Sequence, residues 1–236
     1  MGNIIKWDKD DEILEKLVQK NLIKENKYGG RHVIQRDSEV LNGVYLSEYP
    51  DENILEAIVV DPEVEDSELR KLYEDARSRA SVCGELQKEY ILEAVVKTVV
   101  EAMPLFDDKE VYSILRGAED MRGRGADKGR KMPVDHFINW RVGNKNKYAL
   151  ACAALLEMFK DDEDINGDIS VDRNQVEDEN GNVSENVWCR YTNADGEVYI
   201  LEVVRNELGR AEGFAYGLEK AIAKNSWPYN RPEDGI

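Results

Sequence analysis

Hydrophobic and polar positions follow two different periods in the last third of this chain, and the switch between them marks out its elements. Across residues 147–160 the apolar side chains Ala149, Cys152, Ala153, Leu156 and Phe159 recur at three- and four-residue spacing, which describes a helix with one apolar stripe. The segment is rich in Ala and Leu, both strong helix formers. Beyond it the pattern shortens to runs of β-branched and aromatic residues at 169–171, 187–192 and 198–204, with Asn193-Ala194-Asp195-Gly196 as a turn between the last two. A buried helix laid across an antiparallel meander is predicted, an α+β core with further helices and strands before it.

Upstream, Ile13, Leu14, Leu17, Val18 and Leu22 form one face of an amphipathic helix over 10–24. Runs at 32–34, 44–46 and 54–60 read as short strands, separated by Asn42-Gly43 and Pro50-Asp51. The acidic, Pro-containing stretch 61–66 interrupts both periods. It is taken as a boundary between a small α+β segment, 1–65, and a core domain, 66–236. Asp66 or Ser67 can cap a long helical pattern that runs to Met103, is broken near Gly84 and is closed by Pro104. Its second half carries Ile91, Leu92, Val95, Val96, Val99 and Val100 at helical spacing and should pack on the core helix. A further helix over 111–121, a glycine-rich basic loop over 122–131 and a short helix over 133–140 complete the reading.

Composition narrows the function classes. The formal charge is −17, from 49 acidic against 32 basic residues, which repels phosphate backbones and anionic membranes, so nucleic acid is not an expected partner and a basic or neutral protein is. Three cysteines, Cys83, Cys152 and Cys189, form no CxxC pair and no disulfide framework. No apolar run approaches the length of a membrane span, and the opening residues lack the layout of a secretory signal. These features lead us to expect a cytoplasmic protein without a membrane association.

The words around the core helix resemble the transglutaminase-like branch of the papain-like cysteine hydrolases. The resemblance rests on the stretch from Gly143 to Ala149, on SVDRN at 170–174, on NVWCRYTNADGEVYIL at 186–201 and on WPYNRPED at 227–234. In that family a Gly-x-Cys motif opens the core helix, a His precedes an aromatic on a following strand, and an Asp lies on the strand after it. The resemblance puts Lys145 at the Cys position, Asn186 at the His position and Glu202 at the Asp position. Lys145 adds a cation to the positive end of a helix dipole, which disfavours it. Asn186 accepts no proton near neutral pH. Glu202 alone could keep its orienting role, so the triad is vestigial and no residue is assigned as catalytic. The implied role is that of a binding or structural scaffold, with Trp140, Lys145, Asn186, Trp188 and Glu202 lining a vestigial cleft that takes another protein, and with Lys145 and Glu202 forming an ion pair across it.

The alternative is an active cysteine hydrolase or acyltransferase that uses another Cys/His pair, Cys152 or Cys189 with His136. Cys152 falls about two turns into the core helix on its apolar side, where a buried structural thiol is the expectation. His32 and His136 are the two histidines, and neither has the ligand spacing of a zinc site. The acidic run at 161–168 lacks the glycine and glutamate positions of a calcium loop, so neither metal nor cofactor is expected. An anion-binding module working through the 122–131 loop is a third reading, which the net charge opposes.

Overall fold

Asn144 sets the start of the central helix, because its side-chain oxygen accepts a hydrogen bond from the Lys147 amide at 3.4 Å, a group that the first helical turn otherwise leaves unpaired. The computed structural model describes residues 3–7, 57–59, 67–81, 86–111, 113, 131–231 and 234. Within these the strands are β1 (Asn3–Trp7), β2 (Ala57–Val59), β3 (Leu105–Phe106), β4 (Lys131–Pro133), β5 (Val142–Gly143), β6 (Gly167–Glu177), β7 (Val183–Asn193), β8 (Val198–Arg205) and β9 (Ala211–Gly217). The helices are α1 (Glu68–Ala80), α2 (Lys88–Ala102), α3 (Val134–Trp140), α4 (Lys145–Asp161) and α5 (Leu218–Asn225). The fold is α+β.

Five strands form one antiparallel sheet in the order β1-β6-β7-β8-β9. The last four are a meander, as the period-two runs imply, although β6 and β7 extend well past the predicted 169–171 and 187–192. Their turn is made by Asp178, whose Oδ1 accepts from the Asn180 and Asn182 amides at 2.8 Å each. In the predicted 193–196 turn, Asn193 Oδ1 accepts from the amides of Asp195 and Glu197.

Alternation places odd-numbered residues of the meander on one face, where Ile169, Val171, Val187, Cys189, Leu201 and Val203 join α4 in the main core. Helices α1, α2 and α3 cover the other side of α4. The apolar stripe predicted one buried face for α4; the structure buries all sides, Lys147 and Glu157 included. Lys147 is accommodated because its ammonium lies 5.1 Å from the centre of the Phe137 ring. Helix α2 packs against β9 so closely that a Cβ on Gly213 would meet Val96 Cγ1 at 2.2 Å. Ser67 caps α1 through the Arg70 amide at 3.0 Å, and Asp135 Oδ1 accepts from the Leu69 amide at 3.1 Å, which ties α3 to the same helix end.

The even-numbered face of the sheet carries a second, smaller apolar cluster of Trp188, Ile200, Leu218, Ala221 and Tyr229. It is covered by α5 and by residues 226–231, which follow the left-handed cap at Ser226 (φ 53°). Neither β9 nor α5 was expected from the sequence.

Two strands from the 1–65 segment bond to the rest of the chain: β1 pairs antiparallel with β6, and β2 pairs parallel with β4. The helix expected at 10–24, the strands at 32–34 and 44–46, the joint at 61–66 and the loop at 122–130 lie outside the described residues, as does the 111–121 helix beyond Val111 and Ser113. Among the described residues no helix is long and apolar enough to cross a membrane.

Candidate functional site

The meander comes apart at one seam. Strands β7 and β8 pair from Thr192↔Val198 to Cys189↔Leu201 and no further. Beyond that point β7 stays with β6 as far as Glu177↔Val183, and β8 stays with β9 as far as Arg205↔Ala211. The two hairpins therefore diverge past Trp188 on one side and Glu202 on the other, and α4 begins next to the opening. Gly143 makes this start possible, because a Cβ there would lie 2.8 Å from Cζ of Tyr148. The Tyr148 hydroxyl is itself fixed 2.9 and 3.0 Å from the carbonyl oxygens of Met103 and Leu105.

Lys145 is the first residue of α4, and its ammonium donates to the Glu185 carbonyl of β7 at 3.4 Å. It also lies 5.9 Å from the centre of the Trp227 ring. A cation at a helix N-terminus is disfavoured by the dipole; the carbonyl, the ring face and a nearby carboxylate offset that. The carboxylate belongs to Glu202, only 4% exposed, which feels the Lys145 charge. The expected direct ion pair does not form: among the described residues Lys145 makes no salt bridge, and its hydrogen bond goes to Glu185.

Glu202 instead accepts a hydrogen bond from the Tyr229 hydroxyl, and the Asn186 side chain is placed to favour its anion by donating to it. Burial pushes its carboxyl above the ordinary carboxylate range, while the bonds from Tyr229 and Asn186 and the charge of Lys145 pull the other way without cancelling the shift. Asn186 is 3% exposed, and its Oδ1 has no hydrogen-bond partner among the described residues. Lys145, Asn186 and Glu202, far apart in sequence, are thus gathered at the seam.

The other two expected residues behave differently. Trp188 is fully buried and meets Tyr229 edge-on, with ring centres 5.1 Å apart. Trp140 is 44% exposed and rests on His136 at 5.3 Å and on Phe137 at 6.5 Å, making no ring contact with Trp188 or Trp227 among the described residues.

Several site residues were not anticipated individually. Trp227 Nε1 donates to Asn174 Oδ1 at 2.8 Å, and Asn174 Nδ2 donates to the Pro228 carbonyl at 2.7 Å. Arg231 binds Asp172 in a fork, Nε to Oδ2 at 2.7 Å and Nη2 to Oδ1 at 2.5 Å. Arg190 binds Asp234 in the same way at 2.9 and 2.6 Å. The spacing of residues 227–234 in the sequence does not say what they cover.

The thiols lie elsewhere. Cys152 is 1% exposed, and burial pushes it up to about 12. Burial, followed by the neighbouring Cys152, Asp172 and Glu157, raises Cys189 as well. Both stay protonated near neutral pH, which withholds the nucleophilic form. Cys83 and His32 lie outside the described residues. No cluster of His, Cys, Asp and Glu side chains among the described residues could hold a metal ion. The seam therefore presents an ammonium, a neutral amide and a buried carboxyl, a set suited to recognition by charge and hydrogen bonds. No family model, curated protein or solved structure matches the chain.

Proposed function

We propose that this chain is a catalytically degenerate, transglutaminase-like protein whose vestigial cleft serves binding or structure. The observation that carries the reading is the convergence at one seam of three positions that the resemblance equates with a nucleophile, a base and an orienting carboxylate. Glu202 accepts from Asn186 and lies in the field of Lys145 at the start of α4, an arrangement that matches the layout of a thiol at a helix end, an imidazole and a carboxylate. None of the three residues present can perform the nucleophilic step: an ammonium replaces the thiol, and an amide replaces the base. Burial of Cys152 and Cys189 further supports a non-catalytic role. On this reading the partner is another protein, met in a reducing compartment such as the cytoplasm, where two neighbouring buried thiols remain free.

The test restores the triad. Lys145→Cys, Asn186→His and Glu202→Asp together supply a thiol, a base and an orienting carboxylate. In the triple variant the introduced thiol should alkylate with iodoacetamide several-fold faster than in Lys145→Cys alone, and at a pH below the ordinary thiol titration near about 8.5. Equal rates with the same pH dependence would remove the basis for the transglutaminase-like reading.

A further inference from the structure

Residues 226–231 have no regular secondary structure, and the one backbone hydrogen bond within them runs from the Tyr229 amide to the Trp227 carbonyl at 3.1 Å. They are held instead by the side chains of the sheet. The outer face of β6, β7 and β8 supplies Ser170, Asp172, Asn174, Asn186, Arg190 and Glu202, set beside the apolar Trp188 and Ile200. A sheet face exposed to water needs no such arrangement. Five of these polar residues, all but Ser170, are buried, and each would be left costly without a counterpart. A few fixed polar groups among apolar walls are the usual make-up of a site that takes a ligand.

The strap meets this face one group at a time. The Trp227 indole N–H and the Pro228 carbonyl use both ends of the Asn174 amide. The Tyr229 ring meets Trp188 edge-on while its hydroxyl reaches Glu202. The Arg231 guanidinium forks onto Asp172 and reaches Ser170 Oγ at 2.7 Å. Four anchors within five residues of an irregular stretch, three of them side chains, are what a groove for a peptide segment provides. Asn186 Oδ1 adds a buried acceptor that the strap leaves unused, so the groove offers more than its own tail fills.

We infer that the outer face of β6, β7 and β8 is a binding groove for a protein segment of aromatic-Pro-Tyr-x-Arg chemistry, and that the chain's own residues 226–231 occupy it as an intramolecular competitor. The inference rests on the reading of the seam as a non-catalytic binding site, and adds the class of its ligand. Charge agrees with it: the protein is strongly acidic overall, Arg190 on this face is already matched by Asp234, and Asp172 is left to take the arginine of an incoming segment as it takes Arg231. The resident strap lowers the apparent affinity for such a segment in proportion to the time it spends in place.

The probe is a fluorescein-labelled peptide of residues 224–236, titrated by anisotropy against the full-length chain and against the full-length Tyr229→Ala, Arg231→Ala variant. The variant should bind roughly ten-fold or more tightly than the unaltered chain, because its own strap competes less well, and the peptide should raise its Tm. Adding Asp172→Asn to the variant should weaken that binding. Equal affinity for the unaltered and variant chains, or binding indifferent to Asp172→Asn, would overturn the inference. A variant that self-associates by exchanging straps and ignores the peptide would overturn it too. Should the double variant fail to fold, Trp227→Ala, which leaves both arginine forks in place, is titrated against the same criteria. A peptide that fails to bind while the triad-restored variant alkylates rapidly would leave the scaffold reading standing and reduce the strap to packing.

Discussion

The hydroxyl of Tyr229 donates to the carboxylate of Glu202 across the outer face of the sheet, joining the C-terminal strap to the only acidic member of the seam triad. The bond is made in a buried setting where an anion is poorly solvated. Burial raises the Glu202 carboxyl despite the bonds from Tyr229 and Asn186 and the charge of Lys145.

That direction sets a pH dependence. Because its carboxyl is raised on folding, Glu202 contributes stability that is full below its unfolded value, near about 4.3, and is lost as pH rises through its folded value. Glu202→Gln removes this loss, and its new amide can donate to the unpartnered Asn186 Oδ1 while its carbonyl accepts from Tyr229. The variant should show a higher Tm than the unaltered chain at pH 8 and no gain at pH 4, measured by thermal melts across that range. A lower Tm at pH 8 would contradict the assignment.

Asp234 has the opposite sign. Burial favours its neutral form, but the hydrogen bonds from Arg190 and the Arg231 amide and the charges of both arginines outweigh it and hold the carboxyl below its usual range. Its stability is therefore present above about pH 3.9 and lost as pH falls through the depressed value. Asp234→Ala leaves the buried Arg190 guanidinium without its fork and should cost about 3 kcal/mol at pH 7. The cost should fade on acidification, a trend read from urea midpoints at pH 7 and pH 3.

Cys152→Ala should cost about 1 kcal/mol, the value of a small core truncation. In the unaltered chain Cys152 and Cys189 should both escape iodoacetamide at pH 7.5 and both react in urea, as peptide mapping by mass spectrometry would show. Rapid native labelling of either would identify a reactive thiol and favour the enzymatic alternative.

Gly143→Ala drives a methyl group towards the Tyr148 ring, whose hydroxyl is fixed between two carbonyls and cannot swing away. The expected cost is about 1–3 kcal/mol, as for other overpacked sites. It should appear as a lower urea midpoint with an unchanged m-value.

What the sequence discloses about this fold follows the reach of each interaction. Helix α4 and strands β6 to β8 were legible because period, propensity and turn chemistry are local properties. The burial of Lys147 and Glu157 was not, since it depends on a second layer of helices that one helix's pattern does not encode. Strand β1 is not legible for a similar reason: Asn3–Trp7 is paired by Asn174–Glu177, far away along the chain. The resemblance put Lys145, Asn186 and Glu202 in one register, but the Glu185 carbonyl that accepts the Lys145 hydrogen bond and the Tyr229 hydroxyl that takes the place of an ion pair on Glu202 are products of packing. Trp140, expected to line the cleft with the other four, stands on α3 with its ring against His136 and Phe137.

The brief ladder between β7 and β8 has a mechanical consequence. Only the backbone bonds of residues 189–192 with 198–201 hold the two hairpins edge to edge, so a force pulling the hairpins apart would open the sheet along that line, like cloth along a perforation. Two stitches cross that line. Helix α4 spans it from the inner side, with contacts to both hairpins, and the strap spans it from the outer side, tied to β6 at Asp172 and Asn174 and to β8 at Glu202. When the outer stitch is cut, α4 and the packing of α5 on Trp188 and Ile200 are left to resist the opening, and slow amide exchange should accelerate first at Cys189 and Leu201.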